Sequence, residues 1–143
     1  NEQAEYSWIA DEVVRLIQDQ QVRPEDILVV FHRPSSFNYG LLEQKVGTRL
    51  PDLQFVHPFG DHQQDKDRFI LQPGCLTVST VFGVKGYDAP IVFLAGADRF
   101  GVDRRGRAAF YVAATRAKLL LYVTGATGNR SLLDEARKVC SVL

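Results

Sequence analysis

The chain has 143 residues, 45% of them hydrophobic and 24% charged, which fits one globular domain able to bury most of its apolar surface. Its 17 Lys and Arg balance 17 Asp and Glu, so no global field draws it to nucleic acid or to a membrane, and any polyanion site must be a local patch. The only two cysteines, Cys75 and Cys140, have no spacing suited to a disulfide framework or a metal knuckle and read as reduced thiols of a cytoplasmic protein.

Taken in order, Glu5 to Gln20 places Trp8, Ile9, Val13, Leu16 and Ile17 at the period of an amphipathic helix. Pro24-Glu25-Asp26 reads as a turn. Ile27 to Phe31 is a continuous apolar run suited to a strand buried on both faces. After the break at Pro34-Ser35-Ser36, Asn38 to Arg49 reads as a helix with Leu41, Leu42 and Val46 inward, and Leu53 to Val56 as a short strand. His57 to Gln72 is polar and reads as a loop. Leu76 to Val81 and Ile91 to Ala95 are strands. Arg105 to Ala117 is a helix, apolar enough in its second half to belong in a core. Leu119 to Thr124 is a strand, and Ser131 caps a last helix to Cys140 with Asp134 at its third position. Helices alternating with apolar strands predict a single α/β domain with a mostly parallel, doubly wound sheet. No leader or membrane span is legible, because the longest apolar runs are strand-sized. The chain runs from Asn1 into a helix almost at once, as a segment of a larger protein would.

Such sheets bind ligands at the carboxyl ends of their strands. Arg33 follows the first strand, Lys85 follows the strand ending near Val81, and Arg116 ends the helix feeding the last strand. Two of them have an ordinary reading: Arg33 as a solvated loop residue, Arg116 as a cation complementing the negative end of its helix. Their joint appearance beside Gly83-Val84-Lys85-Gly86 favours an anion site instead, since glycines flanking a Lys let backbone approach a ligand without a Cβ clash.

Thr80 to Phe93 and Arg107 to Lys118 resemble motifs V and VI of UvrD/Rep-type superfamily 1 helicases, which read T-x-H-x-x-K-G-L-E-F and R-x-x-Y-V-x-x-T-R-A. Thr80, Lys85, Gly86, Tyr111, Val112, Thr115, Arg116 and Ala117 fall in register, and Asp26 to Arg33 looks like motif IV. The resemblance runs from about Glu5 to Thr124. It implies a RecA-like three-layer domain, the second of two motor domains that clamp ATP and Mg2+ between them. Arg116 would be the main arginine finger to the γ-phosphate and Arg33 the second. Gly86 and Asp88 would lie toward the nucleotide, with Asp88 at a position usually held by a ribose-associated Glu. Thr80, Phe82 and Lys85 would face single-stranded or partly duplex DNA. The implied partner is an N-terminal RecA-like domain of the same protein, which would hold most of the nucleotide contacts.

Some positions depart from the pattern. Phe82 stands where the family has His; it could stack on a base, but packing is the reading its type favours. Tyr87 replaces Leu, and Arg105 and Gly106 stand where acidic residues usually precede motif VI. The basic run from Asp98 to Arg107 reads as a solvated loop, with a phosphate-contacting patch as the alternative. Only the 16 residues His57 to Gln72 occupy the place of the large helical insertion that such enzymes often carry, so that insertion should be missing. Gly125 to Arg130 lacks the GxGxxG and GxxxxGK[ST] patterns and reads as a plain turn, and His57, Asp61, His62 and Asp65 have no spacing that would converge on a metal. Without a phosphate loop the chain alone should not hydrolyse ATP. The expectation is the C-terminal motor half of an ATP-dependent DNA helicase; the alternatives are a stand-alone α/β interaction module derived from one, or an unrelated small-ligand domain with a closed apolar pocket.

Overall fold

The computed structural model describes residues 2–32, 36–57, 72–84, 86–126 and 131–140. Five strands form one sheet in the order β2-β3-β1-β4-β5: β1 (Ile27–Phe31), β2 (Gln54–Val56), β3 (Cys75–Thr80), β4 (Ala89–Ala95) and β5 (Ala117–Val123). Every pairing is parallel, with Phe31 opposite both Thr80 and Ala95. All five residues of β1 are buried, as the unbroken run Ile27 to Phe31 demands of a central strand.

One face of the sheet is covered by α1 (Glu2–Gln18) and α2 (Ser36–Gly47). Tyr6, Ile9, Val13, Leu42 and Val46 pack there on Val29, Phe31, Val78 and Phe93. The other face carries α3 (Arg104–Ala114) and α4 (Leu132–Cys140), where Ala113, Phe100 and Leu132 meet Leu28, Val30, Val92 and Leu94. The expected serine cap of α4 is present: the Ser131 hydroxyl accepts from the Asp134 N–H at 3.3 Å, while Asp134 accepts from the Ser131 N–H at 3.3 Å.

The described residues of the β3–β4 connection form no helix. Because β1 lies between those two strands, Val81 to Asp88 must cross over it, and these eight residues replace the dozen or more (roughly) that such a crossover usually takes. Val81, Val84 and Ala89 anchor the crossover against Leu28 and Val30, doing in small part what a helix would. The chain therefore travels from the carboxyl edge of the sheet at Thr80 to the amino edge at Asp88 along a bare loop.

Other departures from the sequence reading are local. β4 begins two residues early, at Ala89, and tolerates Pro90 because the register slips between Ala89 and Ile91. Pro24–Asp26 and Ala97–Arg99 are single turns of 3-10 helix. The α3 helix stops at Ala114, not Ala117, and is not a core helix: of its residues only Ala113 is buried, and Tyr111 is 69% exposed. Most of its circumference is left uncovered.

Candidate functional site

The end of α3 and the end of the crossover meet at the amino edges of β4 and β5. Arg116 follows the turn after α3, and its carbonyl accepts from the Ala89 N–H at 2.9 Å, fixing the two segments side by side. Its guanidinium reaches in three directions. Nε donates to the Val112 carbonyl at 3.0 Å, Nη2 donates to the Thr115 hydroxyl at 3.3 Å, and Nη1 lies 3.5 Å from the Asp88 carboxylate. Thr115 in turn donates its hydroxyl to the Tyr111 carbonyl at 2.8 Å. Arg116 thus satisfies the Val112 carbonyl at the end of the helix, while the Thr115 hydroxyl adds a second bond to the Tyr111 carbonyl, which already accepts from the Thr115 N–H at 3.0 Å. The ordinary role foreseen for Arg116, a cation closing its helix, is visible.

That role leaves capacity over. A guanidinium carries five N–H donors, and two of them make hydrogen bonds within the chain. The Arg116 side chain is 21% exposed and that of Asp88 48%, so an incoming anion can reach the pair from solvent. Asp88 is the only carboxylate in ion-pair range of Arg116 among the described residues.

Arg116 comes at the end of the segment feeding the last strand, as its place in the sequence implied, and so lies at the amino edge of the sheet. In a parallel sheet the helix before a strand returns the chain to the amino edge, and Arg116 is the residue just before β5. Arg33 and Lys85 lie outside the described residues, as do Asp61, His62 and Asp65 and the last four residues of the Gly125 to Arg130 turn. His32, the neighbour of Arg33, is at the opposite, carboxyl edge, with its ring 4.5 Å from that of Phe100. Among the described residues no group of acidic, His and Cys side chains could hold a metal ion.

Thr80 ends β3, and its hydroxyl accepts from the Gly83 N–H at 3.3 Å, tightening the turn that begins the crossover. Phe82 projects from that turn 84% exposed, so the packing expected of it does not occur. Val81 and Val84 take the two core positions on either side, at 3% and 0% exposure. Gly86 has φ +90, a backbone region that other residues rarely enter, which explains a glycine there without appeal to a ligand. Of the basic run, Arg99 pairs with Glu2 at 2.8 Å and Arg107 with Glu135 at 2.7 Å, while Arg104 and Arg105 are exposed. Sequence reading misses Phe37, 68% exposed on the first turn of α2, because it begins the helix at Asn38, two residues after its actual start at Ser36.

A five-stranded all-parallel sheet with helices on both faces is a RecA-like α/β architecture. Residues 76–124, from β3 through β5, match the model of the UvrD-like helicase C-terminal domain, and this span contains Thr80, Asp88 and Arg116. The motif-IV-like segment Asp26 to Arg33 lies outside the match. Among solved structures, the C-terminal part of the Fun30 ATPase domain is similar in fold, with a TM-score of 0.55 at 18% identity over 90% of this chain. This chain spans 43% of that one. No curated protein matches the sequence. The region carrying the motif V and VI resemblance is accordingly the part of the chain that is similar to a UvrD-like helicase C-terminal domain.

Proposed function

We propose that this chain is the C-terminal motor half of an ATP-dependent DNA helicase or helicase-like ATPase. It would be a single domain of a longer protein, without the large insertion between motifs IV and V. The observation that carries the reading is the junction at Asp88 and Arg116: two segments 28 residues apart, both within the helicase match, present a guanidinium with unspent donors on an open edge. ATP, when bound, supplies the phosphoanhydride to be cleaved, and Mg2+ screens its charge. Both would be held mainly by an N-terminal RecA-like domain, since this chain has no phosphate loop. Arg116 would place its planar group against the γ-phosphate oxygens, where charge shifts during transfer and a bidentate donor is most effective. The resemblance makes Arg33 the second arginine, but its neighbour His32 stands at the carboxyl edge, opposite Arg116, so the finger role is given to Arg116 alone. Gly86 and Asp88 would border the nucleotide, and Thr80, Phe82 and Lys85 would contact single-stranded or partly duplex DNA. A buried free thiol at Cys75 supports a cytoplasmic setting, and among the described residues no helix is long and apolar enough to cross a membrane.

The test is Arg116→Ala and Arg116→Lys in the full-length protein, with DNA-stimulated ATP turnover and DNA affinity measured side by side. An arginine finger is worth roughly three to five orders of magnitude in rate. A large fall in turnover with DNA affinity nearly unchanged is expected, and Lys should not rescue it; unchanged turnover rejects the assignment. One observation favours the second reading, an interaction module without catalysis: Asp88, Val112 and Thr115 already engage Arg116 within the chain. That reading expects no ATP turnover from the full-length protein under any condition.

A further inference from the structure

We infer that the cleft at the carboxyl ends of β4 and β5 binds a small zwitterion with a flat apolar body, an aromatic α-amino acid being the simplest of that class. The site is separate from the ATP and nucleic-acid roles proposed above and does not depend on them. The cleft measures about 850 Å³, within the range (roughly 300–1,000 Å³) of sites that take small molecules. Its walls are α1 and α4, since the helix before β1 and the helix after β5 both start at this edge of the sheet.

Most of the charge in the cleft is already matched. Arg99 pairs with Glu2 at 2.8 Å and lies 3.7 Å from Glu5, whose Oε1 accepts from the Gly96 N–H and the Thr124 hydroxyl. Asp98 and Arg137 are not matched: among the described residues neither side chain makes a hydrogen bond or an ion pair, with each other or with any third group. Asp98 is half-buried, and its Oδ1 is fully enclosed without a partner. Gly125 makes room for that carboxylate, because a Cβ there would overlap Oδ1. The second oxygen is then the one point at which the group can be satisfied, by water or by a ligand N–H. Arg137 stands one turn beyond Leu133 on the same face of α4, which brings its guanidinium to the cleft.

Trp8 supplies the flat wall. Its ring meets Tyr122 edge-on at 5.8 Å and Phe93 at 6.5 Å, which fixes its plane, yet the residue stays 46% exposed. Opposite charges that line one cleft without meeting select a ligand carrying both signs, its ammonium donating to Asp98 and its carboxylate accepting from Arg137. A bare cation or anion would satisfy one of the two and be repelled by the other. The preset indole face selects the aromatic body.

The experiment titrates the full-length protein with L-phenylalanine, followed by calorimetry. Phenylalaninamide lacks the carboxylate and N-acetylphenylalanine lacks the ammonium, so each should bind about ten-fold more weakly. Asp98→Asn should weaken phenylalanine about ten-fold and leave the N-acetyl compound's affinity unchanged. Arg137→Gln should do the same while sparing the amide. Neither side chain has a bond within the chain to lose, so both variants should melt with the parent. Trp8 is the only tryptophan of this chain, and a fluorescence change on binding should vanish in Trp8→Phe. Failure of phenylalanine to bind overturns the proposal, as does binding that Asp98→Asn and Arg137→Gln leave unchanged. Equal affinity for the amide or the N-acetyl compound overturns the selection of a zwitterion. Arg116→Ala should not alter phenylalanine binding, so this site and the arginine-finger assignment fail separately.

Discussion

Replacing Glu5 by alanine asks how firmly the N-terminal helix is fastened to the far end of the sheet. The Glu5 side chain is 8% exposed, and Oε1 accepts from the Gly96 N–H at 2.7 Å and from the Thr124 hydroxyl at 2.7 Å. These donors stand at the exits of β4 and β5, about 90 and 120 residues from Glu5. A hydrogen bond to a charged acceptor contributes roughly 1.5–3 kcal/mol, and two bonds sharing one oxygen fall short of twice that. Glu5→Ala should therefore cost about 2–4 kcal/mol, a large part of the 5–15 kcal/mol (roughly) that holds a domain folded. Glu5→Gln keeps an acceptor for both donors and loses only the charge facing Arg99 at 3.7 Å, which Glu2 continues to neutralise at 2.8 Å. Its cost should be about 1 kcal/mol. Urea unfolding followed by circular dichroism, with unchanged m, measures both. An alanine variant within about 0.5 kcal/mol of the parent, or alanine and glutamine variants of equal stability, would refute the reasoning.

Two further outcomes concern stability. Gly106→Ala ought to help by helix propensity, since Gly is about 1 kcal/mol poorer than Ala in a helix. The structure predicts the reverse: a Cβ there would overlap the Gly101 carbonyl oxygen, so a loss of about 1–3 kcal/mol in thermal or urea unfolding is expected. The pH dependence follows from Glu12, whose carboxyl is held below its ordinary 4.5 by hydrogen bonds, first from Arg15 and also from the Tyr122 hydroxyl. The unfolded chain then binds its proton at higher pH than the folded one, so this stabilisation is complete above about 4.5 and is lost as pH falls through the folded value. Glu12→Gln should destabilise the protein at neutral pH, and the gap between parent and variant should close in acid; a gap that stays constant down to the acid limit would count against it.

Most of the sheet was legible because fully buried parallel strands are unbroken apolar runs, and Ile27 to Phe31 and Ile91 to Ala95 are such runs. The path of the β3–β4 connection was not. Gly83 to Gly86 reads locally as a turn, and only the order of strands, a non-local property, turns it into a crossover along the sheet. The exposure of Phe82 depends on the same fact, since Val81 and Val84 occupy the sites beneath. Composition misled for α3: Ala113 and Ala114 suit a core, but where a helix lies over the sheet decides how many sides are covered. The edge on which Arg116 falls could have been deduced from parallel topology alone. Its meeting with Asp88 could not, because nothing local links residues so far apart.

The bare crossover has a mechanical consequence. Eight residues span at most about 29 Å when fully extended, against roughly 23 Å for a strand the length of β4. Hydrogen-bonded turns at Thr80–Val84 and Val84–Tyr87 consume part of that reach. Almost no slack is left between the rim where Phe82 stands and the rim where Asp88 faces Arg116. Any tug on one rim is delivered to the other, so the segment behaves as a tie rod through the domain, not as a hinge beside it.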